Sequence, residues 1–206
     1  MANRHDKPLP EIELPRYLAS ETLALILHTI ILLRAPKTLA VGVDIIEYRP
    51  SNLSGVYQKL KFPSVTKQID LLLDHFFSSS LIPIGPDLCK GCLSVEFHVN
   101  KPTNSWFGPK TSPVVFENWS VPVLINTTPR PLDDSTASII ERERTRKTSQ
   151  GVVGDVLGRV YDLALEGLES LPAEYQYNIS ITGNEETSSD RDSFTRMAGM
   201  PMLFNT

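Results

Sequence analysis

Cysteine is almost missing from this chain: its 206 residues include two, Cys89 and Cys92. A secreted domain of this size usually carries more, paired into disulfides, so a reducing, cytoplasmic compartment is expected. Clustered positive charge is missing too. Lys and Arg total 20 against 24 Asp and Glu, a net charge of -4. No stretch builds the cationic face that neutralises phosphates, which argues against nucleic acid as a partner. The opening MANRHDKPLP holds no apolar region of the kind a secretory leader needs. The Asn-x-Ser/Thr sequons at Asn52, Asn118, Asn126 and Asn178 therefore carry no weight. Nor does any apolar run reach the ~20 residues of a membrane span. The longest, Leu23–Leu33, is flanked by Glu21 and Arg34 and reads as a buried core helix.

Catalytic signatures are equally scarce. His5, His28, His75 and His98 stand singly, and no HExxH, GxSxG, GxGxxG or phosphate-loop pattern occurs. Local spacing assembles no nucleophile, base and orienter. The chain is expected not to be an enzyme and to need no cofactor or metal. His28, inside the apolar helix, reads as a hydrogen-bonded core residue. In a redox enzyme CxxC opens a helix after a strand, and structural zinc requires four ligands. The single CKGC pair follows a proline-glycine loop and reads as a plain turn with two thiols.

What is present alternates between helical and extended patterns. Residues 1–10 read as a loose arm and Glu11–Leu14 as a short extended piece. A helix follows from about Tyr17 to Arg34, apolar nearly all round and stopped by Pro36. Residues 39–49 and 56–62 alternate as strands and read as a hairpin. Ser64 is placed to cap a second helix, Val65 to about Phe77, with its stripe of Val65, Ile69, Leu72, Leu73, Phe76 and Phe77. Strands are expected at Leu93–Asn100 and Val114–Asn126, joined by the long proline-bracketed loop KPTNSWFGPKTSP. A long helical region runs from Thr136 to about Ser170. Its first half, with the run Glu141–Lys147, reads as a solvated face laced with ion pairs. Its second half is apolar at Val152, Val156, Val160, Leu163, Leu165 and Leu168, with Gly151 and Gly154 weakening the middle. Tyr175–Gly183 closes the pattern as a strand. The class is α+β with mainly antiparallel pairing. Residues 1–183 are expected to form one domain, and 184–206 a partly disordered tail.

Two residues fit no structural purpose. Trp106 and Phe107 sit side by side among Pro102, Gly108, Pro109 and Pro113. Leaving such side chains in water forgoes roughly 1.5–3 kcal/mol of burial each. Presented on a stiffened backbone they make a protein-binding anchor, since preorganised aromatics bury much area at small entropic cost. A loop folded back to bury them is the competing arrangement.

Three stretches, SETLALILHTIILLRA, NSWFGPKTSPVVFENWSVPVLI and EYQYNISITG, together resemble the autophagy-related protein 101 family over most of residues 11–183. The resemblance implies a HORMA fold with a protruding hairpin tip. It also implies a heterodimer with the HORMA domain of autophagy-related protein 13, and membership of the autophagy-initiation kinase complex at the phagophore assembly site. The family's Trp-Phe finger, which recruits downstream autophagy factors, falls on Trp106 and Phe107. Two readings from other classes compete with this adaptor. One is a peptide-clamping HORMA protein of the mitotic or meiotic checkpoint type, whose tail would order across a bound peptide. The other is a thiol-dependent enzyme using Cys89 and Cys92.

Overall fold

The computed structural model describes residues 4–35, 44–105, 108–129, 133–168 and 171–182. Within them the framework is one long antiparallel pair, β6 (Leu88–Ser105) and β7 (Gly108–Asn126). Strands β1 (His5–Pro8) and β2 (Ile12–Pro15) lie end to end along β7, both parallel to it. Strands β5 (Ile82–Pro83) and β8 (Gln176–Thr182) lie along the other side, both antiparallel to β6. The result is a mixed six-stranded sheet, with a separate hairpin of β3 (Ile45–Tyr48) and β4 (Tyr57–Leu60). The α+β class and the mainly antiparallel pairing agree with expectation.

One face of the sheet carries Leu93, Val95 and Phe97 from β6 and Trp119, Val121, Val123 and Ile125 from β7, all buried. Alternate residues of a strand share a face, so each strand supplies an apolar row. Helix α1 (Arg16–Leu33) lies in the core and buries residues around its circumference, among them Leu23, Ile26, Leu27, His28 and Ile30. By length and composition α1 passes the test for a membrane span, yet 61% of its apolar window is buried inside the protein. A helix apolar on every side has no solvated face to offer, and here it is covered by β7, α2, α3 and β4.

Helix α2 (Pro63–His75) starts with Pro63 at its first position, where a missing N–H costs nothing; Phe62, not Ser64, is the N-cap. Its stripe of Val65, Ile69, Leu72 and Leu73 is buried as read. A π-helical turn (Phe76–Ser80) then swings Phe76 into the core over Gly91 of β6. A Cβ at Gly91 would stand 2.5 Å from the Phe76 ring, which is fully buried and has no room to retreat. Gly91→Ala is therefore expected to lower stability by roughly 1–3 kcal/mol in denaturant titration. A neutral result would show that the ring yields.

Helix α3 (Thr136–Leu165) is capped by Ser135, whose hydroxyl accepts from the Ser138 N–H at 3.2 Å. Its charged first half is solvated, with Glu143 bridging Arg146 at 2.8 Å and Lys147 at 3.8 Å. The glycines do not interrupt it, because Val153, Val156, Leu157, Val160 and Leu163 bury a continuous stripe. That stripe differs from the expected one: Leu165 and Leu168 are exposed. The 51–54 segment is stitched to two helices at once. The Glu21 carboxylate accepts from the N–H groups of Ser51 and Asn52, and Gln150 Oε1 accepts from that of Ser54.

Four expectations are corrected. Residues 5–8 are not a loose arm but strand β1, held through backbone pairing to Glu117–Ser120. The two cysteines lie inside β6 rather than in a turn. Three strand residues apart, they are separated by roughly 10 Å along the chain, beyond disulfide reach. The expected loop across residues 101–113 is largely strand, paired up to Ser105 and Gly108. The N-cap of α2 is Phe62 rather than Ser64. Residues 36–43, part of the expected 39–49 strand, and the tail from 183 lie outside the described residues.

Candidate functional site

Flanking strands cover β6 and β7 unequally. Strand β8 accompanies β6 from Cys92 to His98, and β1 and β2 accompany β7 from Glu117 to Asn126. Beyond His98 and Val115, among the described residues, the two strands pair only with each other, as far as Ser105 and Gly108. They form a two-stranded arm roughly 20 Å long at ~3.3 Å per residue. Such a ribbon has two open edges, which invite pairing with other chains. Pro102, Pro109 and Pro113 lie along them and withhold N–H donors. Prolines that read as loop are here compatible with strand because each edge residue needs a partner on one side only. Trp106 and Phe107, between the two ends of the arm, lie outside the described residues.

A bulge marks the base of the arm. Phe97 pairs with Glu117 and His98 with Val115, leaving Phe116 as the extra residue. Consecutive strand residues normally face opposite ways, yet Phe116 and Glu117 are both buried. The extra residue is what lets both turn inward. Phe116 meets Tyr175 edge-on at 5.3 Å between centroids, and Tyr175 meets Phe97 likewise at 6.0 Å. The Tyr175 hydroxyl donates to the backbone carbonyl of Arg34 at 3.0 Å.

Beneath the bulge lies a buried ionic cluster. Arg34, the C-cap of α1, is 1% exposed. Its guanidinium donates to both oxygens of Glu117, at 2.8 and 3.2 Å, a forked geometry that suits a planar carboxylate. It also donates to the carbonyls of Ala164, Leu163 and Glu166 at the end of α3. Lys7 of β1 donates to the Leu163 and Glu166 carbonyls, and its ammonium stands 4.0 Å from Glu117. The Trp119 indole N–H donates to Glu117 at 2.6 Å. Two cations thus serve one carboxylate and the negative end of a helix, whose last carbonyls have no partners of their own. Gly167, at φ 75°, turns the chain away from α3 just beyond them. Burial pushes the Lys7 pKa down, Glu117 opposing and Arg34 adding to the shift. This arrangement ties β1, α1, β7 and α3 together, and nothing in it marks a substrate.

The remaining candidates behave as structure. His28 is buried, and desolvation, with Lys59 contributing, lowers its pKa to about 4. It is neutral at physiological pH, as a core residue should be, while the expected hydrogen bond to its ring is not seen among the described residues. Cys92 contacts the Ser120 hydroxyl at 3.4 Å; both cysteines are free thiols. Among the described residues, no group of three or more His, Cys, Asp or Glu side chains could hold a metal ion. Sequence reasoning missed the ionic cluster because Lys7, Arg34 and Glu117 are far apart in the chain. The only local signal was a glutamate between the core aromatics of FENW.

A mixed sheet packed on three helices, with a hairpin arm reaching past its flanking strands, is consistent with a HORMA-type fold. Among curated proteins no match to the chain is found. The model of the autophagy-related protein 101 family matches residues 11–173, and the chain belongs to that family.

Proposed function

We propose that this chain is a non-enzymatic adaptor of autophagy initiation. It binds and stabilises the HORMA domain of autophagy-related protein 13 as a heterodimer, within the initiating kinase complex in the cytoplasm and at the phagophore assembly site. Through Trp106 and Phe107 it recruits downstream factors. The observation that supports this most is the arm: its strands stay paired up to the Trp-Phe dipeptide and extend beyond the described strands that flank them. A paired stem costs less entropy on binding than a loose loop of the same length. Partner binding to the folded domain adds stability by mass action, about 2.7 kcal/mol at a hundredfold excess over Kd.

The adaptor reading predicts the behaviour of Trp106→Ala/Phe107→Ala. Far-UV circular dichroism and melting temperature are expected to match the parent, and co-purification with the autophagy-related protein 13 HORMA domain to persist. Starvation-induced autophagosome formation is expected to be lost. Normal autophagy in cells carrying only the double variant would remove the finger from the mechanism. Unfolding of the variant would instead place the two rings among structural residues.

A further inference from the structure

The arm leaves the sheet at one bulge, and an aromatic ring from each strand of that bulge meets the same side chain, Tyr175. Phe116 exists as an extra residue only there; its ring rests edge-on against Tyr175, and so does that of Phe97 on the opposite strand. Tyr175 is in turn tethered through its hydroxyl to the carbonyl of Arg34. Arg34 holds Glu117, the residue next to Phe116, and grips the end of α3. A bulge bends its strand and raises the local twist. Without further contacts a two-stranded ribbon beyond a bend is free to swing.

We propose that Phe116 and Tyr175 are positioning residues that set the angle at which the β6–β7 arm leaves the body, aiming its tip at the recruited protein. Tyr175 packs edge-on against one ring from each strand at the bend, and its hydroxyl anchors that contact to the end of α1. The arm is thereby a rigid extension of the core rather than a tether. A swing of 20° about the bend moves the end of a ~20 Å ribbon by roughly 7 Å, enough to separate an aromatic anchor from its pocket. The inference concerns the geometry of the arm. Its functional half rests on the finger reading above, and the two are separable by experiment.

Spin labels at Thr111 on the arm and Asp155 on α3, both exposed, measure the angle in full-length protein carrying Cys89→Ser and Cys92→Ser. The parent is expected to give one narrow distance. Deleting Phe116 is expected to move that distance by several ångströms, Tyr175→Ala to broaden it, and Tyr175→Phe to broaden it less. Val160→Ala, a cavity in the buried face of α3, is the control: it lowers the melting temperature and should leave the distance unchanged. An unchanged distance in both the Phe116 deletion and Tyr175→Ala overturns the proposal, as does an equal broadening in the control. Autophagosome counts in starved cells test the functional half. Tyr175→Ala should lower them several-fold while binding to the autophagy-related protein 13 HORMA domain persists. A moved arm with normal counts overturns the aiming role. If Trp106→Ala/Phe107→Ala also leaves the counts normal, it is the finger reading that has failed, and the distances still report on the bend.

Discussion

Glu117→Ala is expected to cost roughly 3–5 kcal/mol of folding stability, because it strands two buried cations. Arg34 and Lys7 would keep their desolvation penalty and lose the buried carboxylate that offsets it. The Trp119 indole N–H would lose its acceptor as well, adding the penalty of an unpaired buried donor. For a chain of this length such a loss lowers the melting temperature by roughly 6–20 °C. Glu117→Gln keeps the volume and one acceptor oxygen but not the charge, and should suffer most of the same loss. Replacing buried ion pairs with apolar residues is often harmless, but that exchange should fail here. In Arg34→Met/Glu117→Leu the α3 carbonyls of Leu163, Ala164 and Glu166 lose guanidinium donors that no methionine replaces. Chemical denaturation of the three variants decides the matter. A loss below about 1 kcal/mol for Glu117→Ala would equate the cluster with an exposed pair.

Acidification is expected to destabilise the protein through His28 between about pH 6.5 and pH 4. The folded state holds this imidazole at a pKa of about 4, while the unfolded chain returns it to 6.5. Within that window the unfolded state binds a proton that the folded state refuses, so stability rises with pH. The contribution is complete above pH 6.5 and is lost as pH falls toward 4, amounting to on the order of 3 kcal/mol. His28→Leu removes the titrating group. The stability difference between parent and variant should therefore shift against the parent by that amount across the window. Parallel pH profiles would show instead that the ring charges in place, with water reaching it past α1.

Much of this was readable from the residues. Helix α1 was legible because eighteen residues apolar on all sides admit little but a buried helix. The cores of β6 and β7 were legible from the alternation through Leu93–Val99 and the β-branched run after Pro113. The arm was not. Pro102, Pro109 and Pro113 signal loop by composition, and become compatible with strand only once each strand has one partner and an open edge. Strand β1 was invisible for a similar reason: HDKP has no alternation of its own, and its extended state comes from parallel pairing with Glu117–Ser120. Ser64 was a plausible cap by type, but the helix begins one residue earlier, at Pro63, whose fixed φ suits the first helical position, and Ser64 falls inside it.

The same division holds for the site. Trp106 and Phe107 stand out in the sequence because two large aromatics among prolines have no local structural purpose, and this needs no fold to notice. The bulge at Phe116, the Tyr175 ring contacts and the Arg34–Glu117–Lys7 cluster had no such signature, since the partners lie tens of residues apart. By itself the sequence determined the helices and the central parts of the main strands, how much of the chain is apolar and which family it resembles. These follow from short-range periodicity and composition. Only the tertiary structure decided which charges are buried, where the sheet ends and where the arm begins. Those depend on which distant segments share a face, and burial in low dielectric converts an ordinary Glu, Lys or Arg into a group that must find its partner.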